Sequence, residues 1–241
     1  MQALADQIAV VTGASTGIGR AIALELATQG VALYLVGRKL ETLEAVAEIA
    51  RETSQKVLTY VADLTVDEDI WKLPGCLERN FGHVDLLVHS AGVIYMGKIQ
   101  SASVQDFDWQ YQANVRAPYL LTQALLPMLV LRQGQIVFIN SSVIMRPGAN
   151  VGQFAATQHA LKAIADSLRE EVNGDEVRVL SIFPGRTATP RQATIHEIEG
   201  KAYHPEHLMQ PQDVAAVVLN ALTLPRSAEV TDIKIRPFKK H

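Results

Sequence analysis

The chain has 241 residues, of which 48% are hydrophobic and 20% charged, with a formal net charge of −3. This size and balance suit one soluble domain that buries its own core without staples. The absence of a long basic run excludes a nucleic-acid binder, because that affinity rests on clustered Lys and Arg; the pair Lys239-Lys240 reads as a solvated tail.

Cys76 is the only cysteine, so no internal disulfide and no thiolate metal cluster is expected, and a reducing cytoplasm fits. The first residues, MQALADQIAVVTG, carry no cationic and then apolar leader, and no apolar run is long enough to span a bilayer. Neither a signal peptide nor a membrane anchor is expected.

Ile8 to Val11 is a short apolar run that predicts a buried strand. Thr12-Gly13-Ala14-Ser15-Thr16-Gly17-Ile18-Gly19 follows at once, and then Ile18, Ile22 and Leu26 mark one face of a helix ended by Gly30. A glycine turn between strand and helix lets backbone N–H groups approach a pyrophosphate at the positive end of the helix. Val31 to Val36 is a second strand ending in Gly37-Arg38-Lys39. An acidic residue near this point holds the 2′-hydroxyl of NAD, whereas an Arg accommodates the 2′-phosphate of NADP. Gly37 has no carboxylate and Arg38 is basic, so NADP(H) is preferred over NAD(H); the alternative is two solvated charges at a helix start.

Leu40, Leu43, Ala47 and Ala50 form the next helical stripe, and Lys56 to Val61 the third strand. Asp63 stands at that strand's C-terminal end, where ligands bind in doubly wound sheets, or else Asp63 or Thr65 caps the next helix. Val84 to Val88 is the fourth strand, ending in His89-Ser90-Ala91-Gly92. A long helical region spans Val104 to Leu131, with Pro118 and Pro127 expected to bend or interrupt it. Gln135 to Asn140, Val177 to Phe183 and Val230 to Ile235 are strands five to seven, separated by helices at Gly152 to Val172 and Pro211 to Leu222. Such alternation predicts a single α/β domain over residues 1–241, with a parallel sheet covered by helices on both faces.

The turn at Thr12–Gly19, Asp63-Leu64-Thr65, the triplet Ser90-Ala91-Gly92, Asn114, Ser141-Ser142, and Pro184-Gly185 followed by Thr189 occur in one order along almost the whole chain. In these features the sequence resembles the short-chain dehydrogenase/reductases. The resemblance implies a Rossmann-like, doubly wound, seven-stranded sheet of order 3-2-1-4-5-6-7, an NAD(P) cofactor, and a homodimer or homotetramer built through the two long helices. It also implies that Gly13, Ser15, Thr16, Gly17, Ile18, Gly19, Arg38, Asp63, Leu64, Ser90, Ala91, Gly92, Pro184, Gly185, Thr187 and Thr189 contact the cofactor. Residues from about 190 to 209 would form a mobile lid over the substrate.

The family's chemistry, as implied by that resemblance, is hydride transfer between the nicotinamide and a carbonyl or alcohol carbon. A Tyr moves the proton, a Lys one helical turn later lowers its pKa and holds the ribose, a Ser orients the substrate oxygen, and an Asn anchors a water relay. Ser142 and Asn114 match the Ser and Asn. The segment FAATQHAL puts Phe154 at the Tyr position and Gln158 at the Lys position; a shift of one residue would offer Ala155 and His159, which is no better. Phe has no proton to give and Gln no charge to stabilise a phenolate. Positioned acid–base catalysis is worth about 10²–10⁴-fold. Phe154 can still fill the Tyr volume, and Gln158 can still bond a ribose hydroxyl.

Other donors compete weakly. His159 points about 100° further round the helix. Tyr95 could reach inward or merely pack. His196, His204 and His207 show no metal spacing, so no metal site is expected. Arg186 meets either an acidic substrate or a protein carboxylate. Val93, Ile94, Met96 and Met145 suggest a small or medium hydrophobic carbonyl or alcohol as substrate; the alternative is that they belong to the core. The expectation is an NADP-dependent oxidoreductase with an atypical or weakened proton relay. Against it stands a silent NADP(H)-binding sensor or structural subunit, or an inactivated variant.

Overall fold

The computed structural model describes residues 4–239; Lys240 of the C-terminal basic pair lies outside them. Seven strands form one sheet: β1 Ile8–Thr12, β2 Ala32–Gly37, β3 Val57–Val61, β4 Leu86–His89, β5 Gln135–Ile139, β6 Arg178–Pro184 and β7 Asp232–Ile235. Their order is β3-β2-β1-β4-β5-β6-β7, and every pairing is parallel. The expected order is therefore observed, with strand ends moved by one or two residues.

The central strands β1, β2 and β4 are buried and apolar along nearly their whole length because both sheet faces are covered there, whereas the edge strand β7 alternates exposed Asp232 and Lys234 with half-buried Ile233 and Ile235. Ala9 and Val11 of β1, with Leu33 and Leu35 of β2, face one core. Helices α1 (Gly17–Thr28), α2 (Leu40–Ala50) and α8 (Pro211–Leu222) close that core. Val10, Tyr34 and Val36 face the other, under α3 (Asp67–Phe81), α5 (Ala117–Leu131) and α6 (Gly152–Val172). The period-2 alternation thus splits each strand between two hydrophobic layers.

The long helical region divides where neither proline was expected to divide it. Helix α4 (Val104–Tyr111) runs into a π-helical turn, Gln112–Arg116, and then into α5. Pro118 follows the π turn within a continuous helical run, and Pro127 is carried inside α5. The π turn places Asn114 inward at 2% exposure. Helix α7 (Pro190–Ile198) and a 3₁₀ turn at Pro205–His207 occupy the segment expected to cover the substrate. No helix among the described residues is long and apolar enough to cross a membrane.

Candidate active site

A cavity of about 350 Å³ opens at the C-terminal ends of β1, β2, β4, β5 and β6. Its floor begins with the glycine turn. Gly13 and Gly17 adopt φ values of 63° and 56°, which glycine reaches without strain. A Cβ at Gly13 would lie 2.8 Å from the Ala91 nitrogen, and one at Gly19 only 2.4 Å from the Gly13 carbonyl oxygen. Turn, helix and the β4 end therefore pack with no room for side chains. Helix α1 starts at Gly17 with no side-chain cap on Thr16 and no acidic residue in its first turn. Its first N–H groups are left for an anion, and Ser15, Thr16, Gly17, Ile18 and Gly19 all line the cavity.

Thr12, which sequence reasoning passed over, ties this turn to β4. Its hydroxyl donates to the Val88 carbonyl at 3.2 Å and accepts from the N–H groups of Ser90 at 3.0 Å and Ala91 at 3.1 Å. Ser90, Ala91 and Gly92 are thereby held along the wall, facing Arg38, Asp63 and Leu64 from the β2 and β3 ends. Arg38 is exposed at the cavity rim, and Lys39 forms the extended N-cap of α2 instead. Asp63 caps nothing: its carboxylate accepts from the Thr65 N–H at 3.0 Å and hydroxyl at 2.7 Å, and the N-cap of α3 is Val66.

The other end of the cavity is built on α6. Phe154 and Gln158, one helical turn apart, both line it. His159 is exposed, its Nδ1 held 2.8 Å from its own helix's Ala155 carbonyl oxygen, so the one-residue shift puts nothing useful there. Gln158 is buried at 4% exposure, and its side-chain amide has no protein partner among the described residues. Asn140, another residue the sequence did not single out, braces this part. Its Nδ2 donates to the Gln158 backbone carbonyl at 3.0 Å, and its Oδ1 accepts from the Ser141 N–H at 2.7 Å.

The two adjacent serines are placed differently. Ser141, not Ser142, lines the cavity. Ser141 is still extended, and its Oγ accepts from the Val143 N–H at 3.2 Å, which turns the chain into a 3₁₀ turn beginning at Ser142. That turn carries Ser142 off the wall. Asn114 is on the wall, fully engaged: Oδ1 accepts from Val93 N–H at 2.7 Å, and Nδ2 donates to the Val93 carbonyl at 2.8 Å and to Thr157 Oγ1 at 3.1 Å. Thr157 in turn donates to the Phe154 carbonyl at 2.8 Å.

Pro184, Gly185, Thr187 and Thr189 complete the wall on the β6 side, followed by Pro190, Arg191, Gln192 and Ile195 of α7. Arg191 reaches across to hydrogen-bond the Gly92 carbonyl, a bridge with no sequence signal. The apolar part of the lining consists of Val93, Ile94, Trp109, Phe154 and Ile195; Met96 and Met145 do not line the cavity, and Tyr95 is 41% exposed outside it. Arg186 pairs with Glu199 at 2.6 Å, and this hydrogen bond holds the Glu199 carboxyl down at about 2. His196 is buried against Tyr203 with Nδ1 on the Gln192 carbonyl at 2.8 Å, whereas His204 and His207 are exposed. Beneath the site, His89 stacks on Phe138 and lies 2.9 Å from the Thr122 hydroxyl. Full burial pushes its pKa from 6.5 down to about 3.

The parallel sheet, its strand order and the uncapped glycine turn define a Rossmann-like α/β protein. The chain belongs to the short-chain dehydrogenase/reductase family: the family model for short chain dehydrogenases matches residues 7–200. An uncharacterized oxidoreductase of Staphylococcus epidermidis is 34% identical over 238 residues, covering 98% of this chain and all of the relative. Among solved structures, an alcohol dehydrogenase from Thermococcus sibiricus, complexed with 5-hydroxy-NADP, superposes with a TM-score of 0.89 at 27% identity, covering 98% of each chain. A short chain dehydrogenase from Escherichia coli CFT073, complexed with NADPH, gives 0.88 at 32% identity, over 97% of this chain and 98% of that one. L-sorbose reductase from Gluconobacter frateurii, complexed with NADPH and L-sorbose, gives 0.88 at 25% identity over 96% and 95% of the chains.

Proposed function

We propose that this chain is an NADP(H)-dependent oxidoreductase acting on a carbonyl or alcohol substrate, with a weakened proton relay. The carrying observation is one continuous cavity that runs from the glycine turn and Arg38 to Phe154 and Gln158. The fit to a dinucleotide rests on three features. The α1 N-terminus offers unsatisfied N–H groups to a pyrophosphate, no side chain fits at Gly13 or Gly19, and no carboxylate stands at Gly37 to hold an unphosphorylated ribose. Arg38 at the rim is the group for the 2′-phosphate. NADP complexes among the similar structures support the same choice.

A bound nicotinamide would supply the hydride. The chain's own part is to orient and to exclude water. Gln158 offers its free amide to the ribose hydroxyls, and Ser141, rather than Ser142, offers its hydroxyl to the substrate oxygen. Trp109, Ile94 and Ile195 shape an apolar pocket for a hydrophobic carbonyl or alcohol. Both side-chain N–H groups of Asn114 are already engaged, so its side chain braces the loop after β4, and its backbone carbonyl is left as the group that could hold a water. With Phe154 at the Tyr position, the proton comes from solvent, and slow turnover is expected. The α7 segment acts as the lid, and association as a homodimer or homotetramer through α5 and α6 in the cytoplasm belongs to the same reading.

A broad screen of carbonyls with NADPH, and of alcohols with NADP, tests this. Slow substrate-dependent turnover is the expected result. No turnover above background would leave the second reading, a silent NADP(H)-binding sensor or structural subunit, which the joint presence of Phe154 and Gln158 favours.

A further inference from the structure

The lid's outer turn brings together three metal-ligating side chains that the sequence spacing concealed. His204, Glu206 and His207 place one ligand atom each within 4.8 Å of one another. His204 Nδ1 lies 3.2 Å from Glu206 Oε1, and His207 Nε2 lies 3.9 Å from the same oxygen. Ligands about 2.0–2.2 Å from a tetrahedral zinc ion stand roughly 3.3–3.6 Å apart, so these atoms already approximate two edges of that tetrahedron.

The local backbone explains the convergence. The His207 N–H donates to the His204 carbonyl at 3.0 Å, closing a 3₁₀ turn. With three residues per turn, residues three apart fall on one edge. The two imidazoles accordingly stand 5.3 Å apart, tilted by 31°. Pro205 stiffens the turn, and Gln210 Nε2 pins it from behind through the carbonyls of Pro205 at 2.9 Å and Leu208 at 3.3 Å. The three side chains are exposed, so small rotations close the remaining gap and a fourth position stays open to water.

We propose that His204, Glu206 and His207 form a divalent transition-metal site, suited to zinc, on the lid. Two imidazoles and one carboxylate fit zinc, whereas calcium and magnesium demand an oxygen shell. The site sits one step from the substrate cavity. Immediately after the turn, Met209 pairs back onto the chain beyond β6: its N–H donates to the Arg186 carbonyl at 3.3 Å, and its carbonyl accepts from Ala188 N–H at 2.7 Å. Thr187, between those partners, lines the cavity. An ion on the turn therefore fixes the lid's C-terminal anchor and leaves the reacting groups untouched. The inference is independent of any hydride chemistry.

Calorimetric titration of the full chain with zinc chloride tests the proposal. One ion per chain is expected, with His204→Ala and His207→Ala each weakening binding by roughly tenfold or more. Glu206→Gln should also weaken it, and the double His variant should abolish it. Cobalt in place of zinc should give the visible absorption of a low-symmetry N/O site, lost in the double variant. Zinc should also protect residues 190–209 from limited proteolysis. No saturable binding, or binding undiminished in the double variant, would overturn the proposal. Circular dichroism checks the fold of each variant, and the single variants and Glu206→Gln decide the matter if the double variant is unstable.

Discussion

Restoring Phe154→Tyr together with Gln158→Lys should turn the cavity into an efficient reductase site. Both positions line the same wall one turn apart on α6, so a new phenol and a new ammonium would face the same space. Positioned proton transfer contributes about 10²–10⁴-fold, equivalent to roughly 3–5 kcal/mol of barrier. The gain will fall toward the lower end, because position 158 is only 4% exposed and a lysine there must be desolvated. The backbone of the helix is already braced by Asn140, so no reorganisation is needed to aim either group. Phe154→Tyr alone should recover much less, since a phenol without a nearby cation keeps a pKa near about 10. The assay is kcat/KM for NADPH oxidation with the best carbonyl from the substrate screen, measured for both single variants and the double. A double variant that binds NADPH normally and folds, yet gains less than about tenfold, would refute the claim that the relay alone is missing.

Other outcomes follow from the same structure. His89 is neutral when folded, with its pKa lowered to about 3 from 6.5. Between these values the unfolded chain binds a proton that the folded chain refuses, so stability falls as pH falls, by about 1.4 kcal/mol per unit. Urea unfolding at pH 7 and pH 4.5 should show a loss of about 2–3 kcal/mol from this group, and His89→Gln, which can still donate to Thr122, should remove that part of the slope. Gly19→Ala would drive a methyl group to 2.4 Å from the Gly13 carbonyl oxygen; nucleotide binding should disappear in calorimetry, with a lowered melting temperature. Arg38→Ala should weaken NADPH by roughly 10–100-fold, as expected for one charge-assisted phosphate contact, and leave NADH unchanged in the same titration.

Much of the fold was legible because the central parallel strands are short, mostly apolar runs bounded by glycine or charge. The less legible parts have physical causes. Helix α3 opens with Asp67, Glu68 and Asp69 and carries Pro74, so its apolar stripe of Ile70, Leu73 and Leu77 is diluted. The break between α4 and α5 is a π turn, which prolines do not signal. The glycine turn, Arg38, Asp63 and the Ser90–Gly92 triplet, singled out in the sequence by backbone geometry and charge, do line one cavity. Ser141 and Ser142 are adjacent and chemically alike, and only the direction of the chain at the 3₁₀ turn separates them. Thr12, Asn140, Thr157 and Arg191 act through contacts between residues distant in sequence. The His204, Glu206 and His207 group was hidden for a related reason: the chain there carries no helical or strand periodicity, and only the 3₁₀ turn at Pro205–His207 brings the three side chains together.

The cavity is proposed to be an NADP(H) site whose proton relay, not whose cofactor apparatus, is incomplete. A calorimetric titration of the purified chain with NADPH against NADH tests it most directly. Binding of one NADPH per chain at micromolar strength, with NADH weaker by roughly tenfold or more, is the predicted result. Absence of binding by either nucleotide, or tighter binding of NADH, would contradict it.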